Sequence, residues 1–173
     1  MSYDFDVVEL GVPDNPTEGE VAPDFTRPLV TDEYWEDVSL SELAEPVLLV
    51  FHPMVGGFPA TYLWNELRER GLPTEISAVG VSISTPYAHK RFIREHDLEE
   101  TGVRFFSDPA AAVAERYGIA HDLDGMAGIT EHRPAAFVLG ESRTVRYAWA
   151  AREWPAFPDY DELEAALDRT LEE

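Results

Sequence analysis

His132 and Arg133, together with His52 at the end of an apolar run, are the residues whose types most directly suggest chemistry. A guanidinium and two imidazoles can hold an anion. So can the start of the helix expected near Ala60, whose first N–H groups have no partner within the helix. Thr61 adds a hydroxyl that His52 or His132 could activate as a base, yet no oriented Ser/His/Asp set is visible. The chain has no cysteine, which excludes a thiolate nucleophile, disulfides and sulfur-ligated metals. Met54 and Met126 could be oxidised only stoichiometrically, and core packing is their simpler role. Each of His52, Ala60, Thr61, His132 and Arg133 could contribute to holding a small anion, chloride or a carboxylate, and residue type alone does not bring them together. The alternative is that Arg133 pairs with a carboxylate while Met54, Phe58 and Trp64 fill the space.

Metal chemistry finds less support. His89 and His96 lie seven residues apart, on one helix face but two turns from each other. His121, Asp122 and Asp124 share a loop that could hold a cation weakly, and a solvated acidic loop is the simpler reading. No P-loop, dinucleotide fingerprint or zinc motif is present, so no metal and no cofactor are expected.

The elements that must position these residues follow from periodicity. Residues 1–28 are rich in proline and acid and predict short edge strands and turns. Ser39 with Glu42 three residues on predicts a short capped helical turn. Pro46–Phe51 is a continuous apolar run of strand length, as expected of a buried central strand. A helix from about Ala60 to Arg70 follows and is stopped by Gly71. Further strands are expected over 76–82, 103–106, 135–139 and 144–149, the last two joined by a linker of hairpin length. Helices are expected from Pro86 to about His96, from Ala110 to Tyr117, and from Tyr160 to about Leu171. The order β-α-β-α-β-α-β-β-α implies an α/β fold: a mixed sheet with helices on both faces.

Composition sets the outer limits. At 173 residues, one domain spanning 1–173 is expected, with 1–20 as an extended N-terminal segment. The net charge is −21, from 34 acidic and 13 basic residues, and Lys90 is the one lysine. An acidic, lysine-poor chain suits a salt-rich cytoplasm, where screening relieves self-repulsion. The same charge opposes nucleic acid and anionic membrane surfaces. Residues Met1–Asp6 carry no basic region and no apolar run, and no segment has the length of a membrane span, so a cytoplasmic location is expected.

Four segments carry a family resemblance: Val21–Thr26 with Pro28-Leu29, Val38–Leu43 leading into Phe51-His52-Pro53, Val81–Lys90 through Phe105–Asp108, and Arg133–Val138. Together, over about residues 20–170, the chain resembles a peroxiredoxin of the alkyl hydroperoxide reductase/thiol-specific antioxidant family. The resemblance implies a thioredoxin-like fold with an N-terminal strand extension. It also implies a thiol-dependent peroxidase with the motif Pro-x-x-x-Thr-x-x-Cys and an arginine from a later strand. Here Pro53 and Arg133 match that pattern, Gly57 stands at the threonine and Ala60 at the peroxidatic cysteine. Leu67-Arg68 favours this register over a one-residue slip that would put Thr61 at the cysteine. Leu63 replaces the acidic residue expected after the cysteine, and Asn65 stands at the resolving position. The resemblance implies that the helix start at Ala60 and Thr61 and the guanidinium of Arg133 stay together, beside His52 and His132, as a small anion pocket. No catalytic residue is therefore assigned, and binding of a ligand or partner is the expected activity. The resemblance further suggests a homodimer, or a mixed dimer with an active paralogue. An oxidoreductase drawing electrons from a cofactor or a partner's thiol, and a purely structural domain, are the alternatives.

Overall fold

Five consecutive apolar residues, Val47–Phe51, are all buried because they form an interior strand of a seven-stranded sheet. The structure, a computed structural model, describes residues 7–123 and 125–173. The signal-sequence reading of residues 1–6 and the cation role of Asp124 lie outside the described residues.

In chain order the strands are β1 (Val8–Glu9), β2 (Thr26–Val30), β3 (Trp35–Ser39), β4 (Val47–Phe51), β5 (Ser77–Ser82) and β6 (Arg104–Ser107). They continue with β7 (Ala120–His121), β8 (Glu131–His132), β9 (Ala135–Leu139), β10 (Val145–Ala150) and β11 (Glu153–Trp154). The helices are α1 (Phe58–Glu69), α2 (Leu72–Glu75), α3 (Pro86–Glu95), α4 (Ala112–Arg116) and α5 (Tyr160–Leu171). The main sheet runs β10-β9-β4-β5-β6-β2-β3. β4, β5 and β6 are parallel neighbours, as the crossovers through α1 and α3 require, and the remaining pairs are antiparallel.

Alternate residues of each strand face opposite layers. Leu49, Phe51, Val81 and Phe137 pack with Tyr117, Ala114 and Phe25 on the side of α4 and the N-terminal segment. Leu48, Val50, Ala136 and Val138 pack with Leu63, Trp64 and Leu67 of α1, Phe92 and Ile93 of α3, and Leu163 and Leu167 of α5. Gly80 of β5 is needed where this second layer closes, since a Cβ there would stand 2.6 Å from the Phe105 ring and 2.8 Å from Trp64. The result is a mixed sheet with helices on both faces and a thioredoxin-like fold. Among the described residues no helix is long and apolar enough to cross a membrane.

Several boundaries differ from expectation. α1 begins at Phe58, two residues early, with Gly57 as its cap and Pro59 in the first turn. α4 begins only at Ala112, because Ala111 is left-handed at φ 58° and cannot continue a helix backwards to Ala110. Ser39 does not cap the turn after it. It ends β3, and its hydroxyl bonds to that of Thr26 across the β2–β3 pair at 2.5 Å. The β9–β10 linker is a tight turn in which Glu45 accepts from the backbone N–H groups of Ser142 (3.0 Å) and Arg143 (3.2 Å).

Candidate functional site

The chain leaves the sheet after Phe51, where His52 N still donates to Val81 O at 3.1 Å. The following loop is fixed at two points. Met54 N donates to Glu131 Oε2 at 2.9 Å and Val55 N to Ser84 Oγ at 2.9 Å. Gly57 then opens α1 without a side-chain cap. Ala60 is fully buried in the first turn. Thr61 turns its hydroxyl back to Gly57 O at 3.4 Å. Beside this turn His52, Pro53, Pro59, Leu63, Pro134 and Phe157 line a hollow of about 10 Å³, room for one water at most.

Arg133 is 95% buried, and its guanidinium faces backbone carbonyls. One terminal nitrogen donates to Gly11 O at 3.0 Å and Ala151 O at 3.1 Å, and the other to Leu10 O at 3.3 Å. The contacts expected with an anion or a carboxylate are thus made with carbonyls of the N-terminal segment and of the stretch after β10. Burial lowers the guanidinium's pKa, though it stays charged. No hydrogen bond joins Arg133 to Thr61 or to the first turn of α1 among the described residues. Of the side chains expected to fill the space, Trp64 is fully buried, Met54 half-buried, and Phe58 41% exposed.

His52 is buried, and its Nδ1 lies 2.8 Å from Pro53 O. A carbonyl can only accept, so Nδ1 carries the proton and Nε2 presents a lone pair. Among the described residues that Nε2 has no hydrogen-bond partner. Burial pushes the His52 pKa down to about 3, helped by the charge of His132 and opposed by the bond to Pro53. His52 is therefore neutral and offers no positive charge to an anion.

His132 belongs to a different group. Its Nε2 donates to Asp108 Oδ2 at 2.9 Å, with both side chains buried. Arg27 Nε adds a bond to Asp108 Oδ1 at 3.1 Å, and Val113 N donates to Oδ2 at 2.9 Å. Burial alone would raise the Asp108 pKa; the bonds from His132, Arg27 and Val113 outweigh it and hold the carboxyl below its usual value. Beside this pair, His89 spans Ser82 Oγ and Ser107 Oγ, 2.7 Å from each. Burial, above the smaller electrostatic coupling to the neighbouring His52 and His132 imidazoles, keeps His89 well below an ordinary histidine pKa.

The sequence reading missed Asp108, Glu131, Ser82, Ser107 and His89 as members of this centre. A signal existed. Ser82 and Ser107-Asp108 end parallel strands, and the carboxyl ends of such strands are where sites gather in α/β folds. His89 shares the apolar stripe of α3 with Phe92 and Ile93. The arrangement holds protons and carbonyls in place but presents no reactive nucleophile. Among the described residues no three His, Asp or Glu side chains are grouped to hold a metal. Asp122 instead accepts from Gly125 N at 3.0 Å in a turn.

Solved structures share this fold. A thiol peroxidase from Chromobacterium violaceum is 23% identical, with a TM-score of 0.74 over 93% of this chain and 91% of its own. The reduced 2-Cys peroxiredoxin of Plasmodium vivax is 17% identical, with a TM-score of 0.70 over 88% of this chain and 81% of its own. AhpC of Mycobacterium tuberculosis is 18% identical, with a TM-score of 0.69 over 89% and 92%. No curated protein matches in sequence. The AhpC/TSA family model matches residues 19–148, a span that includes Pro53, the first turn of α1 and Arg133, and the chain belongs to that family.

Proposed function

We propose that this chain does not reduce peroxides through a thiol and works by binding a partner chain. The observation that carries this is Ala60, buried in the first turn of α1 where the family's motif requires sulfur, with the hollow beside it closed by Leu63, Pro134 and Phe157. A methyl side chain has no electron pair to attack an O–O bond. Ligand binding through Arg133, His52 and His132 draws less support, because the terminal nitrogens of the guanidinium serve carbonyls and His52 presents a lone pair.

Partner binding is supported by the surface over the closed site. Phe58, Tyr62 and Phe157 are 41%, 59% and 37% exposed, and their rings lie 5.7 and 6.5 Å apart in succession. Contiguous exposed aromatics mark interaction surfaces. The partner is another chain of this fold, either a second copy or a cysteine-bearing paralogue. Peroxide consumption in concentrated potassium chloride with dithiothreitol tests the first half; a rate equal to the buffer blank is expected, and turnover above it overturns the proposal. Sedimentation alone and with a paralogue tests the second half. Association that Tyr62→Asp abolishes is expected, and a chain monomeric in both mixtures defeats it.

A further inference from the structure

We infer that the cleft between the loop after β4 and helix α3 binds a small oxyanion, phosphate or carboxylate, attached to an aromatic ring. This inference is independent of the partner reading above and concerns a different surface. It starts from charge. Against 34 acidic residues the chain sets 13 basic ones, yet α3 carries Lys90, Arg91 and Arg94 against Glu95. Elsewhere Arg27, Arg70 and Arg146 are paired with carboxylates and Arg68, Arg116, Arg133 and Arg143 donate to backbone carbonyls; Arg104, Arg152 and Arg169 lie on separate segments, whereas Lys90 and Arg94 are one turn apart on one helix. Among the described residues Lys90 and Arg94 have no carboxylate within ion-pair distance. Adjacent unneutralised cations on an acidic molecule make a local positive region that concentrates anions.

The shape fits a small molecule. The cleft holds about 570 Å³, within the range of roughly 300–1,000 Å³ usual for small-ligand sites. Across Arg91 it adjoins a second hollow of about 420 Å³ edged by Tyr87, Lys90 and Arg94. The buried Phe92 and the half-buried Val55 give the cleft an apolar side. Tyr87, 74% exposed, is held edge-on by Trp35 with ring centres 4.9 Å apart. An aromatic ring suits this lining, and the guanidinium of Arg91 suits a planar oxyanion. The walls are fixed: Val55 N is tied to Ser84 Oγ, and Arg68 donates to the carbonyl of His96. Glu95 stands 3.3 Å from Arg91, but both are exposed, 59% and 79%. Such a pair holds weakly, and a ligand oxyanion exchanges with it at little cost. A polyanion such as nucleic acid would meet the carboxylates beyond the cleft; a single small anion does not.

Trp35 gives the test a reporter. Wild-type protein is titrated with phenyl phosphate and benzoate, and with inorganic phosphate and phenol as the separate halves, reading tryptophan fluorescence and calorimetry. Saturable binding of phenyl phosphate or benzoate is expected, at least about tenfold tighter than either half alone. The tighter of the two assigns the head group as phosphate or carboxylate. Arg91→Gln and Arg94→Gln should each weaken it, Arg91→Gln by about tenfold or more. Glu95→Gln should tighten it, and Arg169→Gln, on α5, should leave it unchanged. All four positions are exposed, so melting curves should stay near wild type. No saturation below about 10 mM, or binding that survives both α3 arginine substitutions unaltered, overturns the inference.

Discussion

His132 and Asp108 share a 2.9 Å hydrogen bond with both side chains at least 99% buried. The bond ties β8 to the end of β6, and Asp108 also receives Val113 N and Arg27. A buried carboxylate with this many donors is a junction, because removing it strands every one of them. Asp108→Ala should therefore cost about 3–5 kcal/mol, read as a lowered urea midpoint with an unchanged slope. Asp108→Asn keeps an acceptor and should cost less. Equal, small losses in both variants would show that the pair contributes little.

The buried histidines set a pH dependence. His52 binds a proton at 6.5 when unfolded and only at about 3 when folded, so the unfolded state holds more protons between those values. Its contribution to stability is complete above about pH 6.5 and falls as pH drops toward 3. His89 shifts in the same direction and adds to the effect. Each fully neutral histidine should cost about 1.4 kcal/mol per pH unit inside the window. Urea melts at fixed salt should show stability flat above neutrality and falling from pH 6.5 to 5. His52→Phe should make that fall shallower by about one proton's worth; an identical slope would remove His52 from the account.

Much of this architecture was legible because burial leaves a pattern. Val47–Phe51 and Ala135–Leu139 are unbroken apolar runs and are interior strands, and Leu163, Ala166 and Leu167 recur at helical spacing on α5. β3 was not legible. Trp35–Ser39 alternates weakly, carries Glu36 and Asp37, and is an edge strand whose outer groups face water. The site was half legible. Pro53 and Arg133 are local matches to a motif and Ala60 a local departure from it, but the groups Arg133 serves are carbonyls of Leu10, Gly11 and Ala151, and no side-chain type announces a carbonyl.

Restoring sulfur tests what closes the site. A Cβ at Gly57 would meet nothing closer than Pro59 Cδ at 3.6 Å, so Gly57→Thr fits and should stabilise α1 by a few tenths of a kcal/mol as a cap. Ala60→Cys places a thiol at a fully buried position in a turn whose Pro59, with Leu63, lines a hollow shared with Phe157. We expect Ala60→Cys with Gly57→Thr to react slowly with a disulfide reagent, and adding Phe157→Ala to speed it by about tenfold or more. If the triple variant stays as slow as the double, Phe157 is not what closes the site.

Arg133 makes a separate prediction about the N-terminal segment. That segment is held by the β1–β11 pair, by Leu10 N to Arg152 O at 2.9 Å, by Asp14 N to Gly118 O at 3.2 Å, and by the guanidinium. Gly118 is left-handed at φ 68°, and a Cβ there would stand 2.0 Å from Asp14 O, so the close approach itself depends on glycine. Arg133→Met keeps the length of the side chain and removes its donors, leaving the carbonyls of Leu10, Gly11 and Ala151 without them. Bonds from a charged donor are worth about 1.5–3 kcal/mol, and that loss should fall on the strap more than on the sheet. Hydrogen exchange should accelerate at Leu10 and Asp14 while amides of β4 and β5 keep their protection. Uniform acceleration across the sheet would mean that the guanidinium supports the whole fold, and no acceleration at either place would mean that the β1–β11 pair and the approach at Gly118 hold the strap without it.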